Sequence, residues 1–317
     1  MTMAAFPSGS TALFADLDVS VELDAPLAQR TWYGVGGRAD ALVSPRSEEA
    51  LCNLLRRCSR NGVRVRVLGS GANLLVGDEG VDGVVIALDD ACWKDLQFNA
   101  EGPATMARVG GGRDLGKTIH DTGRRSLAGL EPLIGIPAQV GGAVRMNAGG
   151  KFGAIGDVVR SVGLVAWDGT ARTYDAAEIG FSYRHTDLPP GIVTWAALAL
   201  APADPAELRN RTREISAYKA SVQPLAANSA GCMWKNPVDP ATGQRTSAGL
   251  LIDRAGLKGT RVGGAVVSTQ HGNFICAEPG CRAQDIIELS SQVADEAFRR
   301  TGIRLEREVV FWRRGSD

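Results

Sequence analysis

The sequence predicts an α+β chain in two parts, and three observations lead there. Its 317 residues exceed what one domain of roughly 150 residues needs. Stretches of helical spacing are interspersed with stretches of two-residue alternation through the first part of the chain. A long amphipathic pattern over residues 283–300 is then followed by an alternating run over 305–312. A boundary is expected near residue 200, with an N-terminal arm over 1–24, a first domain over 25–204 and a second over 205–317.

The elements follow in order. The first thirty residues show little periodicity and read as a loosely ordered arm. Ser47 can cap a helix whose first turn places Glu48 and Glu49 against the dipole, and Leu51, Leu54, Leu55 and Cys58 recur at helical spacing. Gly62 ends it, and residues 63–67 alternate as a strand. A glycine turn at 69–71, strands at 83–88 and 106–109, and a helix over 115–125 come next. Residues 129–153 are rich in glycine and proline and poor in charge, the composition of a loop that lies against something. Strands are expected over 159–167 and 192–200, and a charged helix over 206–220. Ile286, Leu289, Val293 and Ala297 line one face of a helix that Gly302 stops.

Composition narrows the function. Hydrophobic residues make up 44% and charged residues 22%, so a core can form. Lysine plus arginine equals aspartate plus glutamate at 35 each, leaving no net field to draw nucleic acid or an anionic membrane. No apolar run approaches the roughly 18 residues of a spanning helix. The first basic residue is Arg30, so the charged head of a secretory signal is lacking and the expected compartment is the cytoplasm. Cys52, Cys58, Cys92, Cys232, Cys276 and Cys281 form no CxxC pair, and the histidines are His120, His185 and His271. No metal site is expected from that spacing, and the thiols are expected free, most of them in the core.

Two glycine motifs invite nucleotide readings. Gly111-Gly-Arg-Asp-Leu-Gly116-Lys117-Thr118 fits the phosphate-loop pattern, in which amides wrap phosphates and the lysine reaches the terminal ones. Residues 164–168 could imitate its magnesium-holding strand and aspartate; the competing reading is a turn and a surface helix with a solvated Lys117. Gly34-Val-Gly36-Gly-Arg-Ala39 matches the dinucleotide fingerprint, which works only when a helix follows. Here residues 40–43 read as a strand and Pro45 blocks a helix, so that reading fails on context.

Several separated segments together resemble one family: Thr31-Trp-Tyr-Gly-Val-Gly-Gly37, Leu68-Gly-Ser-Gly-Ala-Asn-Leu-Leu-Val76, Gly129-Leu-Glu-Pro-Leu-Ile-Gly-Ile-Pro137 and Val140-Gly-Gly-Ala-Val-Arg-Met-Asn-Ala-Gly149. Further along stand Phe181-Ser-Tyr-Arg184, Gly231-Cys-Met-Trp-Lys-Asn-Pro237, Ser247-Ala-Gly-Leu-Leu-Ile-Asp253 and Leu305-Glu-Arg-Glu-Val309. The ordered set resembles UDP-N-acetylmuramate dehydrogenase, also called UDP-N-acetylenolpyruvoylglucosamine reductase (MurB). The short spacing between Arg184 and Cys232 resembles the branch without an extra substrate-capping loop.

The resemblance implies an FAD-binding domain of the vanillyl-alcohol-oxidase (PCMH) type followed by a smaller α+β substrate domain. It implies that NADPH reduces the flavin and that an enolpyruvyl UDP-sugar reoxidises it, in peptidoglycan precursor synthesis. Alternatives are another FAD oxidoreductase of the same fold and a phosphate-loop hydrolase. The flavin is expected on Tyr33, on Gly69, Ser70, Gly71, Ala72, Asn73 and Leu74, whose tight turn can offer amides to the pyrophosphate, and on Gly135, Ile136, Pro137, Gly141, Gly142, Asn147, Ala148 and Gly149. Neither glycine-rich segment holds a histidine or cysteine, so non-covalent FAD is expected. By resemblance Arg184 is the cation beside the substrate carboxylate and Glu308 assists. Glu306 shares the strand face expected for Glu308, so alternation does not choose between them; the motif does. Cys232 stands where the family's usual proton donor is serine; a thiol, with an ordinary pKa of roughly 8.5, is mostly protonated at neutral pH. Tyr183, Lys235, Asn236 and Gln270 are expected to touch the UDP-sugar. A monomer is expected.

Overall fold

The computed structural model describes residues 11–99 and 105–315. Contacts gather the chain into two compact units that interleave along the sequence. One comprises the chain up to Leu23, Asp40–Gly69 and Gly83–Lys219; the other comprises Asp24–Ala39, Ser70–Asp82 and everything from Ala220 onward.

The first unit has two cores. Helix α1 (Thr11–Phe14) is a single turn and α2 (Glu48–Arg60) is the capped helix read from the sequence, with Ser47 Oγ accepting from Ala50 N at 3.1 Å. Its face of Leu51, Leu54, Leu55 and Cys58 is buried with Ala41, Val43, Val84 and Ile86. Each leucine, isoleucine or valine among them contributes on the order of 1.5–3 kcal/mol on burial. A four-stranded sheet supplies that core, in the order Val19–Pro26, Arg38–Pro45, Val81–Ala87, Val65–Leu68. The stretch expected to be loosely ordered therefore contains a strand. Val19, Val21, Leu23 and Ala25 do alternate, but Val21 and Leu23 are exposed on the sheet edge, so no contrast between a buried and a polar face marks them.

The second core of this unit lies on a five-stranded sheet ordered Ala171–Asp175, Val159–Ala166, Gly191–Ala199, Met106–Gly110, Leu96–Phe98, all antiparallel. Helices α3 (Leu115–Arg124) and α4 (Val140–Arg145) cover it, burying Leu115, Ile119, Val140 and Val144 beside Val162 and Leu198. The segment read as a glycine-rich loop thus holds a helix. Gly141 and Gly142 give it poor intrinsic propensity; tertiary bonds hold it, Val140 N to Arg113 O at 2.9 Å and Gly141 N to Gly111 O at 2.8 Å. Helix α5 (Pro205–Val222) follows, burying Leu208, Ile215 and Lys219.

The second unit packs α6 (Ala248–Arg254) and α7 (Ala283–Thr301) around Trp234, Ile252, Ile286, Leu289 and Val293, next to a three-stranded sheet of Arg261–Val262, Ala265–Val267 and Ile275–Ala277. Asp78 caps α7 from a distant part of the chain, accepting from Ala283 N at 2.9 Å and Gln284 N at 3.1 Å, where the helix dipole favours a carboxylate. Gly302 closes the helix in the left-handed region at φ 71°. The strand expected over 305–312 is shorter, Val310–Trp312, and pairs in parallel with Leu74–Val76. Residues before it make only an isolated bridge, Arg307 to Trp234, because that partner chain stays beside them too briefly for a ladder.

Candidate functional site

The phosphate-loop lookalike is closed to phosphate by its own chain. Gly111 N donates to Thr194 O at 2.7 Å, Gly112 N to Trp93 O at 3.0 Å, and Leu115 N to Ala138 O at 2.8 Å. Asp114 sits at the N-cap of α3 and accepts from Lys117 N at 2.7 Å, so a carboxylate already fills the anion position. The Thr118 hydroxyl, which would hold magnesium, donates to Asp114 O at 2.8 Å, and Lys117 is exposed. Asp168 accepts from Thr170 N at 2.8 Å in a turn, which holds its carboxyl below the ordinary range. The hydrolase reading fails here on hydrogen bonding. At residues 34–39 the following element is the strand Arg38–Pro45, so the dinucleotide fingerprint also lacks its helix.

The turn at residues 69–73 behaves differently. No hydrogen bond within the described residues takes up the amides of Gly71, Ala72 or Asn73. Gly71 has φ +67°, and a Cβ there would lie 2.0 Å from Arg30 O, so only glycine lets the turn close on residues 30–32. A cavity of about 400 Å³ opens beside Ser70, lined also by residues 29–32 and 225–228. The Asn73 side chain donates to Glu308 O at 3.2 Å, and Asn73 O accepts from Val310 N at 3.1 Å. Leu74 is buried and begins the parallel pair with Val310–Trp312.

Cys232 and Glu308 share that second unit. Cys232 is half-buried in an isolated bridge with Phe274, and Gly231 before it takes φ +77°. Glu308 N donates to Met233 O at 2.8 Å, so Glu308 is held one residue along from the thiol. Glu306 is engaged elsewhere: its carboxylate is salt-bridged to Lys235, and its carbonyl accepts from Lys235 N at 2.8 Å. Asn236 Oδ1 accepts from Ala248 N at 3.0 Å at the start of α6. Gln270 is exposed and donates to Ser221 O at 3.2 Å. Tyr33 is 1% exposed in the core beside Met233 and Trp234, and burial pushes its phenol up. Sequence reasoning missed Asn273, which clamps this frame: its Nδ2 donates to Trp234 O at 2.7 Å while its Oδ1 and O accept from Trp234 N and Met233 N. Nothing in the sequence marks it, since its partners come together only in the fold.

In the first unit, Arg184 has φ +57°, an uncommon conformation for a side chain of its size. Its Nη1 donates to Gly149 O at 2.8 Å, and its guanidinium lies 5.2 Å from the exposed Tyr183 ring. Asn147 is also left-handed, at φ +42°; its amide donates to Ser182 O and accepts from Gly156 N, tying the Arg184 hairpin to the glycine-rich segment. Gly69, Gly135 and Gly142 are exposed. A Cβ on Gly142 would meet nothing within 4 Å, whereas one on Gly141 would lie 2.8 Å from Val193 O. Ile136, Pro137 and Ala148 are half-buried along the same stretch. Bare backbone facing open space, as at Gly142, suits a flat ring, and amides with no acceptor among the described residues, as at 71–73, suit a phosphate. Among the described residues, no three histidine, cysteine, aspartate or glutamate side chains group as metal ligands, and no helix is long and apolar enough to cross a membrane.

Residues 223–312 match the C-terminal domain of UDP-N-acetylenolpyruvoylglucosamine reductase, and residues 39–175 match an FAD binding domain. The chain is 38% identical over 311 residues to the UDP-N-acetylenolpyruvoylglucosamine reductase of Desulfosudis oleivorans, covering 95% of this chain and 96% of that protein. It is 39% identical to reductase 2 of Symbiobacterium thermophilum, covering 90% of each. The crystal structure of the enzyme from Thermus caldophilus superposes with a TM-score of 0.76 at 40% identity, covering 93% of this chain and 98% of that one.

Proposed function

The chain belongs to the UDP-N-acetylenolpyruvoylglucosamine reductase family, and from that membership we propose that it reduces the enolpyruvyl group of UDP-N-acetylglucosamine enolpyruvate to give UDP-N-acetylmuramate for peptidoglycan. FAD supplies the chemistry when bound, accepting hydride from NADPH and giving it to the substrate. The observation that carries the reading is the Asn73–Glu308 hydrogen bond, which fastens the turn whose amides have no acceptor among the described residues to the segment beside Cys232.

The division of labour among the residues is a proposal. The amides of residues 71–73 and the cavity beside Ser70 bind the phosphate-bearing part of the cofactor. The exposed backbone at Gly69, Gly135 and Gly142 leaves room for its ring, with Ile136 and Pro137 half-buried alongside. Hydride addition to the terminal carbon drives negative charge toward the substrate carboxylate, which Arg184 stabilises as a fixed cation. Its anchoring on Gly149 means little reorganisation is needed. Cys232 donates the proton to the adjacent carbon, and Glu308 assists. Tyr183, Lys235, Asn236 and Gln270 hold the UDP-sugar, with Lys235 leaving Glu306 for the diphosphate. Most of the proposed flavin contacts fall within residues 25–204 and most of the sugar contacts within 205–317, Tyr183 and Arg184 being the exceptions. NADPH and UDP-sugars are supplied inside the cell, so the proposed compartment is the cytoplasm; a monomer suffices for every role named.

The test is Cys232→Ala, followed by flavin absorbance in a stopped flow. Reduction by NADPH stays near normal, while reoxidation by the enolpyruvyl UDP-sugar slows by roughly 10²–10⁴-fold, the contribution of a general acid. Cys232→Ser recovers most of the loss. Equal slowing of both half-reactions would make the thiol a packing residue.

A further inference from the structure

Helix α5 holds the glycine-rich segment at three separate points. Arg211 reaches Glu131 at 3.2 Å, and Glu131, itself 4% exposed, accepts from Gly129 N. Tyr218 meets Phe152 edge-on, with ring centroids 5.5 Å apart. Between them Lys219, 9% exposed, donates to Ile134 O at 2.6 Å and Pro132 O at 3.2 Å. A buried ammonium needs a reason, because desolvating it is costly. Among the described residues this one has no carboxylate partner; both of its acceptors are backbone carbonyls on one short stretch.

The peptide plane gives that contact a consequence. A trans peptide points its C=O and N–H in opposite directions, and the chain has no cis peptide among the described residues. Fixing Ile134 O on Lys219 therefore aims Gly135 N–H away from α5. Gly135 is exposed, takes φ +79°, and rests over the Lys219 stem with its missing Cβ 3.6 Å from Cδ. No acceptor within the described residues takes its N–H. The ammonium also polarises the Ile134–Gly135 peptide and strengthens that N–H as a donor.

We propose that Lys219 is a positioning residue for the flavin, orienting and polarising the Gly135 amide so that it donates to the bound cofactor. This rests on the reading of residues 135–137 as flavin contacts. A donor strengthened in this way stabilises the negative charge of reduced flavin, so its loss lowers the midpoint potential as well as the affinity.

The experiment compares purified holoenzymes of wild type, Lys219→Met, Lys219→Gln, Lys219→Arg and Gly142→Leu by flavin release on dilution and by flavin midpoint potential. Lys219→Met is expected to release flavin about tenfold faster or more, the loss of a charged hydrogen bond, and to show a lower potential. Lys219→Gln, which keeps N–H donors without charge, falls between Met and wild type, and Lys219→Arg recovers most of the difference. Gly142→Leu fills the open space over α4 and reports on the flavin reading alone. Loss of flavin in Gly142→Leu, with release and potential unchanged in both Lys219→Met and Lys219→Gln, would overturn the role of Lys219 and leave that reading standing. A wild type that holds no flavin would overturn the reading itself.

Discussion

At residues 110–118 the amides are taken by carbonyls of Thr194, Trp93 and Ala138 and by the Asp114 carboxylate, whereas at residues 71–73 the amides have no acceptor among the described residues. Both turns are glycine-rich and both follow a strand. The difference lies in what surrounds them: the first lies against carbonyls of Trp93, Ala138 and Thr194, which take up its amides, and the second closes on residues 30–32 through Gly71, with a cavity beside Ser70. A glycine turn becomes an anion site when neighbouring backbone leaves its donors unused, and spelling alone does not report that.

The largest expected effect breaks the second turn. Gly71→Ala places a Cβ against Arg30 O in a left-handed residue, costing about 2 kcal/mol or more; thermal melting falls and the protein is purified with little flavin. If Gly71→Ala kept both flavin and stability, the turn would not be the cradle. Next comes Lys219, whose burial pushes its pKa down to about 8 from 10.5. Between those values the unfolded chain holds a proton that the folded chain has lost, so stability rises with pH through that window. Lys219→Met flattens this rise, by about 1–3 kcal/mol at 1.4 per unit; melting curves at pH 7.5 and 10 on both proteins check it. Asp114→Ala in the first turn removes a helix cap, about 1 kcal/mol, with flavin content unchanged; flavin loss on that substitution would join the two turns in one function. Lys117→Ala is expected to change neither flavin content nor turnover, and a lost activity with flavin retained would reopen the phosphate-loop reading.

Much of the fold is legible where one face is buried and the other wet. The Ser47 cap and the Leu51, Leu54, Leu55, Cys58 face of α2 were readable for that reason, as was α7 with its Gly302 stop. The edge strand Val19–Pro26 was not, since Val21 and Leu23 face solvent, and α4 was not, since its glycines owe their helix to Gly111 and Arg113. Lys219 illustrates the remaining gap at the site. It sits eleven residues after Leu208 and four after Ile215, on their buried face, yet in a charge-rich helix it looks like any solvated lysine. Asn273 and the capping Asp114 likewise gain their roles from partners that only the fold brings near.

The most direct measurement is an anaerobic titration of the purified wild-type protein, followed by visible absorbance. NADPH should bleach a flavin band, the enolpyruvyl UDP-sugar should then restore it, and acid precipitation should leave all the flavin in the supernatant. A colourless protein, or a bleached band that the sugar does not restore, would contradict the account.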